Sequence, residues 1–354
     1  MLLKKIIRKI TEREDDPVIV NSKISGLANA NKILLLRQDR IGDVLVSIAF
    51  LKKLRSLFPS AEIDIVLSYK NNSAFWAISK FVNRKYLLEK GVFKYIKLIN
   101  QIRNDEYDLV IDLLDNSSST SSILTRFTKA EYKLGFDKKN RKVYTHIVKI
   151  PNKWENHIVQ RINALLIPFA GTNLNEKSLG IRLSEEKLNE AKELLGKKTK
   201  SIRLGINLTG SNLHRSWGVG NHIALLKSLE NMKGKLEIFV FTTKGNKAML
   251  DEIEKEFPDV SAPFVNSFEL FSAMISTCDI VLSPDTSVVH LCSVLDIPCI
   301  ELCTVTEDAN VGNPWAPLSK HSMQIKISEN KSLGLIKVTD VLEAIKQIIE
   351  EISD

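Results

Sequence analysis

The stretch 277–304, T-C-D-I-V-L-S-P-D-T-S-V-V-H-L-C-S-V-L-D-I-P-C-I-E-L-C-T, limits the fold more than any other part of the chain. It holds an apolar run at 279–282, a Ser-Pro-Asp-Thr-Ser turn, an apolar segment of helical length and a second apolar run at 298–302. That is the order of a βαβ unit. Parallel strands joined in this way place the ligand crevice beyond their carboxyl ends, where residues 283–287 fall. A helix opening there offers unpaired backbone N–H groups and the positive end of a dipole, a setting suited to phosphate. The hydroxyls of Thr286 and Ser287 add donors, and His290 follows one turn later. Two readings are open. Asp285, Thr286 and Ser287 are ordinary caps and His290 a buried histidine, or the cluster holds an anion.

A chain of 354 residues, 44% hydrophobic and 26% charged, can core two domains. Residues 32–37, K-I-L-L-L-R, read as a buried strand and 38–43, Q-D-R-I-G-D, as a turn. An amphipathic helix over 44–58 closes at Pro59, and 62–67 makes the next strand, the opening of a doubly wound α/β domain. Gly42 allows close approach of backbone and ligand. Asp43 is either a helix cap or a carboxylate placed to take a proton from a sugar hydroxyl.

Further along, 93–98 and 107–114 read as strands. Asp108, Asp112 and Asp115 read as acids at the ends of a buried strand; no D-x-D pair accompanies them and no metal is expected. Asn116 lies at the carboxyl end of that strand. The basic segment 129–149 reads as a hairpin or loop, with capture of an anionic acceptor as the alternative. A helix over 154–169 leads to a Gly/Asn-rich connector. A strand at 201–207 then ends in Leu208-Thr209-Gly210-Ser211, with Arg215 close behind, a second anion site. The other reading of Arg215 is a partner for a surface acid. Helices follow at 219–229, 266–277 and 339–352, with a strand at 235–242 between the first two. The expected divisions are 1–30 (amphipathic helix and linker), 31–172 (first domain), 173–336 (second domain) and 337–354, a helix packing back toward the first.

A net charge of +8 points to anionic partners, but no nucleic-acid-binding motif accompanies it. Cys278, Cys292, Cys299 and Cys303 form no C-x-x-C pair and read as buried thiols of a cytosolic protein rather than a zinc site. No signal peptide or membrane span is expected. Residues 1–10 alternate apolar and basic faces; they rest on an anionic membrane surface or pack against protein.

D285-T286-S287-V288-V289-H290 followed by D-I-P-C-I resembles the D-T-G-x-x-H signature of glycosyltransferase family 9, the lipopolysaccharide heptosyltransferases, with Ser287 in place of glycine. K-I-L-L-L-R-Q-D-R-I-G-D-V-L resembles the family's N-terminal motif, and H-R-S-W at 214–217 its phosphate-contacting stretch, with Gly218 in place of proline. Lys244 and Asn246 stand where many members carry a ribose-binding acid. The likeness runs from about residue 32 onward.

It implies a GT-B architecture, two Rossmann-like doubly wound parallel-sheet domains facing a central cleft. It further implies an inverting, metal-independent glycosyltransferase without cofactor. Such an enzyme moves heptose or a related sugar from a nucleotide-diphosphate sugar to an anionic lipid-linked, lipopolysaccharide-core or surface-glycan acceptor. Its expected place is cytoplasmic or peripheral at the inner face of the bacterial inner membrane. Asp43 falls on the base. Thr209, Ser211, Arg215, Trp217, Asp285, Thr286, Ser287, His290, Thr306, Glu307 and Asp308 fall on the donor side, with Arg40, Gly42 and Asn116 on the acceptor side. Nucleotide-sugar 2-epimerases share this architecture, and a chain that had lost turnover would keep the donor site.

Overall fold

The computed structural model describes residues 7, 9–172, 177–210, 215–232, 234–305 and 314–353, and the chain divides into two compact units, Met1–Ser178 and Leu179–Asp354.

The first unit is built on seven parallel strands: β1 (Val18–Ile19), β2 (Lys32–Leu36), β3 (Glu62–Ser68), β4 (Arg84–Leu88), β5 (Leu109–Asp112), β6 (Tyr132–Phe136) and β7 (His146–Val148). Their order across the sheet is β1-β7-β6-β5-β2-β3-β4. The central strands are near-continuous apolar runs because helices cover both faces of a parallel sheet. Leu34, Leu36, Val66 and Val110 pack with Leu98 and Ile102 of the Val92–Asn104 helix. Each fully buried aliphatic side chain contributes about 1.5–3 kcal/mol.

Four local expectations change in this unit. Residues 93–98 lie in the Val92–Asn104 helix, not a strand, because Leu98 and Ile102, four apart, turn to one buried face. The segment 129–149 holds two parallel strands rather than a hairpin. The supposed linker over residues 11–30 includes β1, which pairs with β7 through Val18↔His146 and Ile19↔Ile147. The helix expected at 44–58 begins at Ile41 and breaks at Ser47, giving helices Ile41–Val46 and Ile48–Leu57. The Ser47 hydroxyl donates to the Asp43 carbonyl at 2.7 Å, so Gly42 and Asp43 sit inside the first helical turn instead of before it.

The second unit carries β8 (Ile202–Asn207), β9 (Leu236–Phe241), β10 (Ile280–Pro284), β11 (Cys299–Val305) and β12 (Met323–Ser328), all parallel, in the order β12-β11-β10-β8-β9. The C-terminal helix Val338–Ser353 buries Val341, Ala344, Ile345 and Ile348 in the core of this same unit. All four cysteines are buried thiols, none of them in a disulfide. No helix among the described residues is long and apolar enough to cross a membrane.

Candidate active site

In the second unit, β8 and β10 are neighbours, so their carboxyl ends arrive side by side. Asn207, the last residue of β8, donates to Ser283 Oγ at 2.9 Å and to Thr286 Oγ1 at 3.3 Å, while its Oδ1 accepts the Thr209 amide at 3.1 Å. Thr286 caps the Ser287–Leu295 helix, its hydroxyl accepting the Val288 amide. The cap reading of that residue is therefore real, and it builds the corner that an anion would meet. Thr209 Oγ1 is buried without a hydrogen-bond partner among the described residues.

Gly210 has a backbone reason for its identity: a Cβ there would lie 2.3 Å from the Arg215 carbonyl oxygen. This close packing brings Arg215 back to the corner, where its Nη1 donates to Asp285 Oδ2 at 2.7 Å. Both side chains keep about a third of their surface, 38% and 30%. His290, on the helix, is buried with its ring centroid 5.6 Å from that of Trp315. Trp217 lies elsewhere: its side chain is 0% exposed and its indole N–H donates to the Ile336 carbonyl at 3.0 Å, so it packs and has no surface for a donor. Ser211, Thr306, Glu307 and Asp308 lie outside the described residues.

Behind this corner stands Glu301 of β11, fully buried and hydrogen-bonded to the Gln324 side chain amide. Its Oε1 has no partner among the described residues. Burial pushes its carboxyl up to about 8, with the Asp285 charge adding to the shift and Lys326 and Arg215 opposing it. Stability from a raised carboxyl is complete below its ordinary range near 4.5 and is lost as pH rises through about 8. In urea unfolding the wild type should lose roughly 2–4 kcal/mol between those limits relative to Glu301→Gln, which lacks the titrating carboxyl. A difference between the two proteins that stays flat over that window would refute the assignment.

The first unit offers a second corner at the carboxyl end of β2. Arg37, just past the strand, is 2% exposed and reaches both acids of the following turn, Asp39 Oδ2 at 3.5 Å and Asp43 Oδ1 at 3.6 Å. Its Nε donates to the Asp43 carbonyl and its Nη1 to the Leu113 carbonyl, each at 2.9 Å. Asp43 Oδ2 accepts the Arg40 amide at 3.0 Å. Asp43 is therefore the third residue of a capped helix and also keeps 14% of its side chain open. Burial pushes the neighbouring Asp39 up to about 6; Arg37 opposes the shift and the Asp43 charge adds to it. Gly42 is buried and the Arg40 residue exposed.

Asn116 lines a cavity of about 740 Å³ within this unit, together with Asp115, residues 117–119 and Lys139. The three acids of the 108–115 stretch have separate partners. Asp108 accepts the Asn31 and Lys32 amides at 2.8 and 2.9 Å, and Asp115 pairs with Arg161 at 2.8 Å. Asp112 is buried and binds Lys138 at 2.9 Å, the Tyr144 hydroxyl at 2.5 Å and the Ser121 hydroxyl. Lys138, expected among the solvated or acceptor-capturing cations, is thus a core ion. Asn207, Glu301, Arg37 and Asp39 carry no role in the sequence reading. The signal for Glu301 was a lone carboxylate inside the apolar run C-I-E-L-C.

Two all-parallel α/β units, the second with an arginine drawn to a helix N-terminus beyond its strand ends, have the fold of the GT-B glycosyltransferases. ADP-heptose LPS heptosyltransferase II of E. coli matches with a TM-score of 0.75 at 17% identity, over 91% of this chain and 100% of that one. E. coli heptosyltransferase WaaC with ADP matches with a TM-score of 0.70 at 16% identity, over 90% and 99%. Lipopolysaccharide heptosyltransferase 3 of E. coli K12 is 23% identical over 337 residues, 88% of this chain and 96% of that protein. The family model "Glycosyltransferase family 9 (heptosyltransferase)" matches residues 95–342. The chain belongs to glycosyltransferase family 9 and is a glycosyltransferase.

Proposed function

We propose that this enzyme moves a heptose or closely related sugar from a nucleoside-diphosphate sugar to a hydroxyl of a lipopolysaccharide-core or other lipid-linked saccharide, inverting the anomeric centre. The observation that carries the reading is the corner of the second unit. There an arginine about a third open to solvent and the N-terminus of the Ser287–Leu295 helix converge beside the buried Thr209 hydroxyl. Such a corner receives the charge that builds on a departing diphosphate. Asp285 holds the guanidinium in place, and on this reading the diphosphate takes over part of that pairing when it binds. ADP in the WaaC structure, and heptose in the names of several relatives, favour ADP-heptose as donor.

The chemistry is a single displacement. The acceptor oxygen forms its bond to the anomeric carbon from the face opposite the diphosphate, the carbon–oxygen bond to the β-phosphate breaks, and the acceptor proton passes to Asp43. Arg215 and the helix N-terminus supply the positive field, and no step requires a metal. Lys139 and Asn116 beside the cavity of the first unit suit an anionic sugar acceptor.

A thermal-shift screen of nucleoside diphosphates, followed by NMR of the product anomer, tests this. ADP or a related diphosphate should raise the melting temperature, and Arg215→Ala should weaken that nucleotide by about tenfold or more. The product should have the opposite anomeric configuration to the donor. A donor sugar that changes at its own C2 without acceptor, or no response to any nucleotide, would reject the proposal.

A further inference from the structure

The edge of the first sheet formed by β4 carries an unusual surface. The helix that follows it, Val92–Asn104, begins with Val92 at 72% and Phe93 at 89% exposure, and Ile96 on the next turn is 49% exposed. Phe93, Ile96 and Lys97 are three and four residues apart and share one helix face. Isolated exposed apolar residues need no explanation, but large ones adjoining over a single turn do.

Their surroundings are basic and aromatic. Tyr69, just past β3 and 47% exposed, is hydrogen-bonded through its amide to the Leu88 carbonyl at the end of β4. The Lys90 and Lys70 ammonium groups stand 4.7 and 5.9 Å from its ring centroid. Glu89, the one acid of the 89–97 stretch, is paired with Lys94 at 2.6 Å. A protruding phenylalanine with valine and isoleucine beside it on the helix, Lys94 and Lys97 on the same helix, and Lys90 with Tyr69 at the adjoining strand ends, matches the layered chemistry of a bilayer surface. Apolar groups enter the acyl boundary, and ammonium groups meet lipid phosphates. The patch lies at the carboxyl end of β3 and β4, the sheet end at which Asp43 follows β2.

We propose that this patch, Phe93 with Val92, Ile96 and the lysines around them, docks the protein on an anionic membrane surface. It requires neither the donor assignment nor the base. Were the transfer reading to fail, binding to vesicles would still be expected.

The test is co-sedimentation of the full chain with vesicles of equal parts phosphatidylglycerol and phosphatidylcholine, against vesicles of phosphatidylcholine alone. The wild type should pellet with the first and stay in solution with the second, and added salt should release it. Phe93→Asp should lower partitioning by about tenfold or more, whereas Phe93→Trp should preserve it. Reversing Lys90 and Lys97 to glutamate should cost about fivefold or more at each position. Melting temperatures of all these surface variants should match the wild type. Four results would overturn the proposal: no wild-type binding, equal binding to neutral vesicles, Phe93→Asp and lysine-reversal variants that pellet like the wild type, or a Phe93→Asp effect confined to self-association. The third of these would pass membrane contact to residues 1–10.

Discussion

Asp43→Asn is expected to lower the transfer turnover number by about a thousandfold while leaving nucleoside-diphosphate affinity within about twofold of wild type. The substitution separates the two roles that the position combines. An asparagine oxygen accepts the Arg40 amide as the carboxylate Oδ2 does at 3.0 Å, so the helix start survives. Arg37 keeps Asp39 at 3.5 Å and its bonds to the Asp43 and Leu113 carbonyls at 2.9 Å, so the buried guanidinium is not abandoned. What is lost is the capacity to take a proton. A residue serving only to cap a helix would tolerate asparagine with little change in rate. Loss of the Asp43 charge also removes one of the influences that raise Asp39 to about 6, leaving burial to contend with Arg37. Asp39 should then titrate lower, observable by NMR of its carboxyl carbon. Full activity in the asparagine variant would exclude Asp43 as the base.

The second large effect falls on stability. Trp217→Ala should destabilise the protein by about 3–5 kcal/mol. The side chain is fully buried among Leu225, Leu333, Ile336 and Ile345, and its ring meets that of His222 edge-on with centroids 5.0 Å apart. Truncation would open a large cavity and strand the Ile336 carbonyl that now accepts the indole N–H at 3.0 Å. The Trp217 carbonyl is held by Asn221 at 2.8 Å, whose amide also reaches the Gly334 carbonyl at 2.9 Å. Arg215 stands two residues away, so loosening this anchor should also weaken nucleotide binding. Trp217→Phe, which keeps most of the volume and loses the hydrogen bond, should cost about 1–3 kcal/mol. Chemical denaturation measures both. An alanine variant as stable as wild type would mean that the tryptophan does not anchor the core.

What was legible in the sequence follows from the physics that each segment obeys. The central strands announce themselves because parallel strands covered on both faces are continuous apolar runs, as at 32–37, 201–207 and 279–282. The corners at Asp43 and Asp285 are marked because glycine, hydroxyls and acids cluster where such a run stops. The Val92–Asn104 helix was hidden because six residues of mixed apolar and basic character fit either period; only Leu98 and Ile102 at helical spacing decide it. β1 is two residues long, and pairing with β7 alone makes it a strand. Lys138 reads as a surface cation until the fold brings it 2.9 Å from Asp112. Trp217 follows a basic motif residue, yet its direction is set by the Leu333–Leu335 turn and Ile336 more than a hundred residues later, which no local pattern conveys. Glu301 is similar. Its place among the apolar residues of β11 marks it as buried, but its position behind the Asp285 corner depends on β10 lying beside β11.

The most direct test is a crystal structure with an unreactive fluorinated ADP-sugar and an acceptor saccharide bound together. The account predicts the diphosphate at the amides opening the Ser287–Leu295 helix, with the Arg215 guanidinium on a phosphate oxygen. It also predicts the acceptor hydroxyl within about 3 Å of an Asp43 carboxylate oxygen. A diphosphate seated elsewhere, or an acceptor hydroxyl with Asp43 out of its reach, would contradict it.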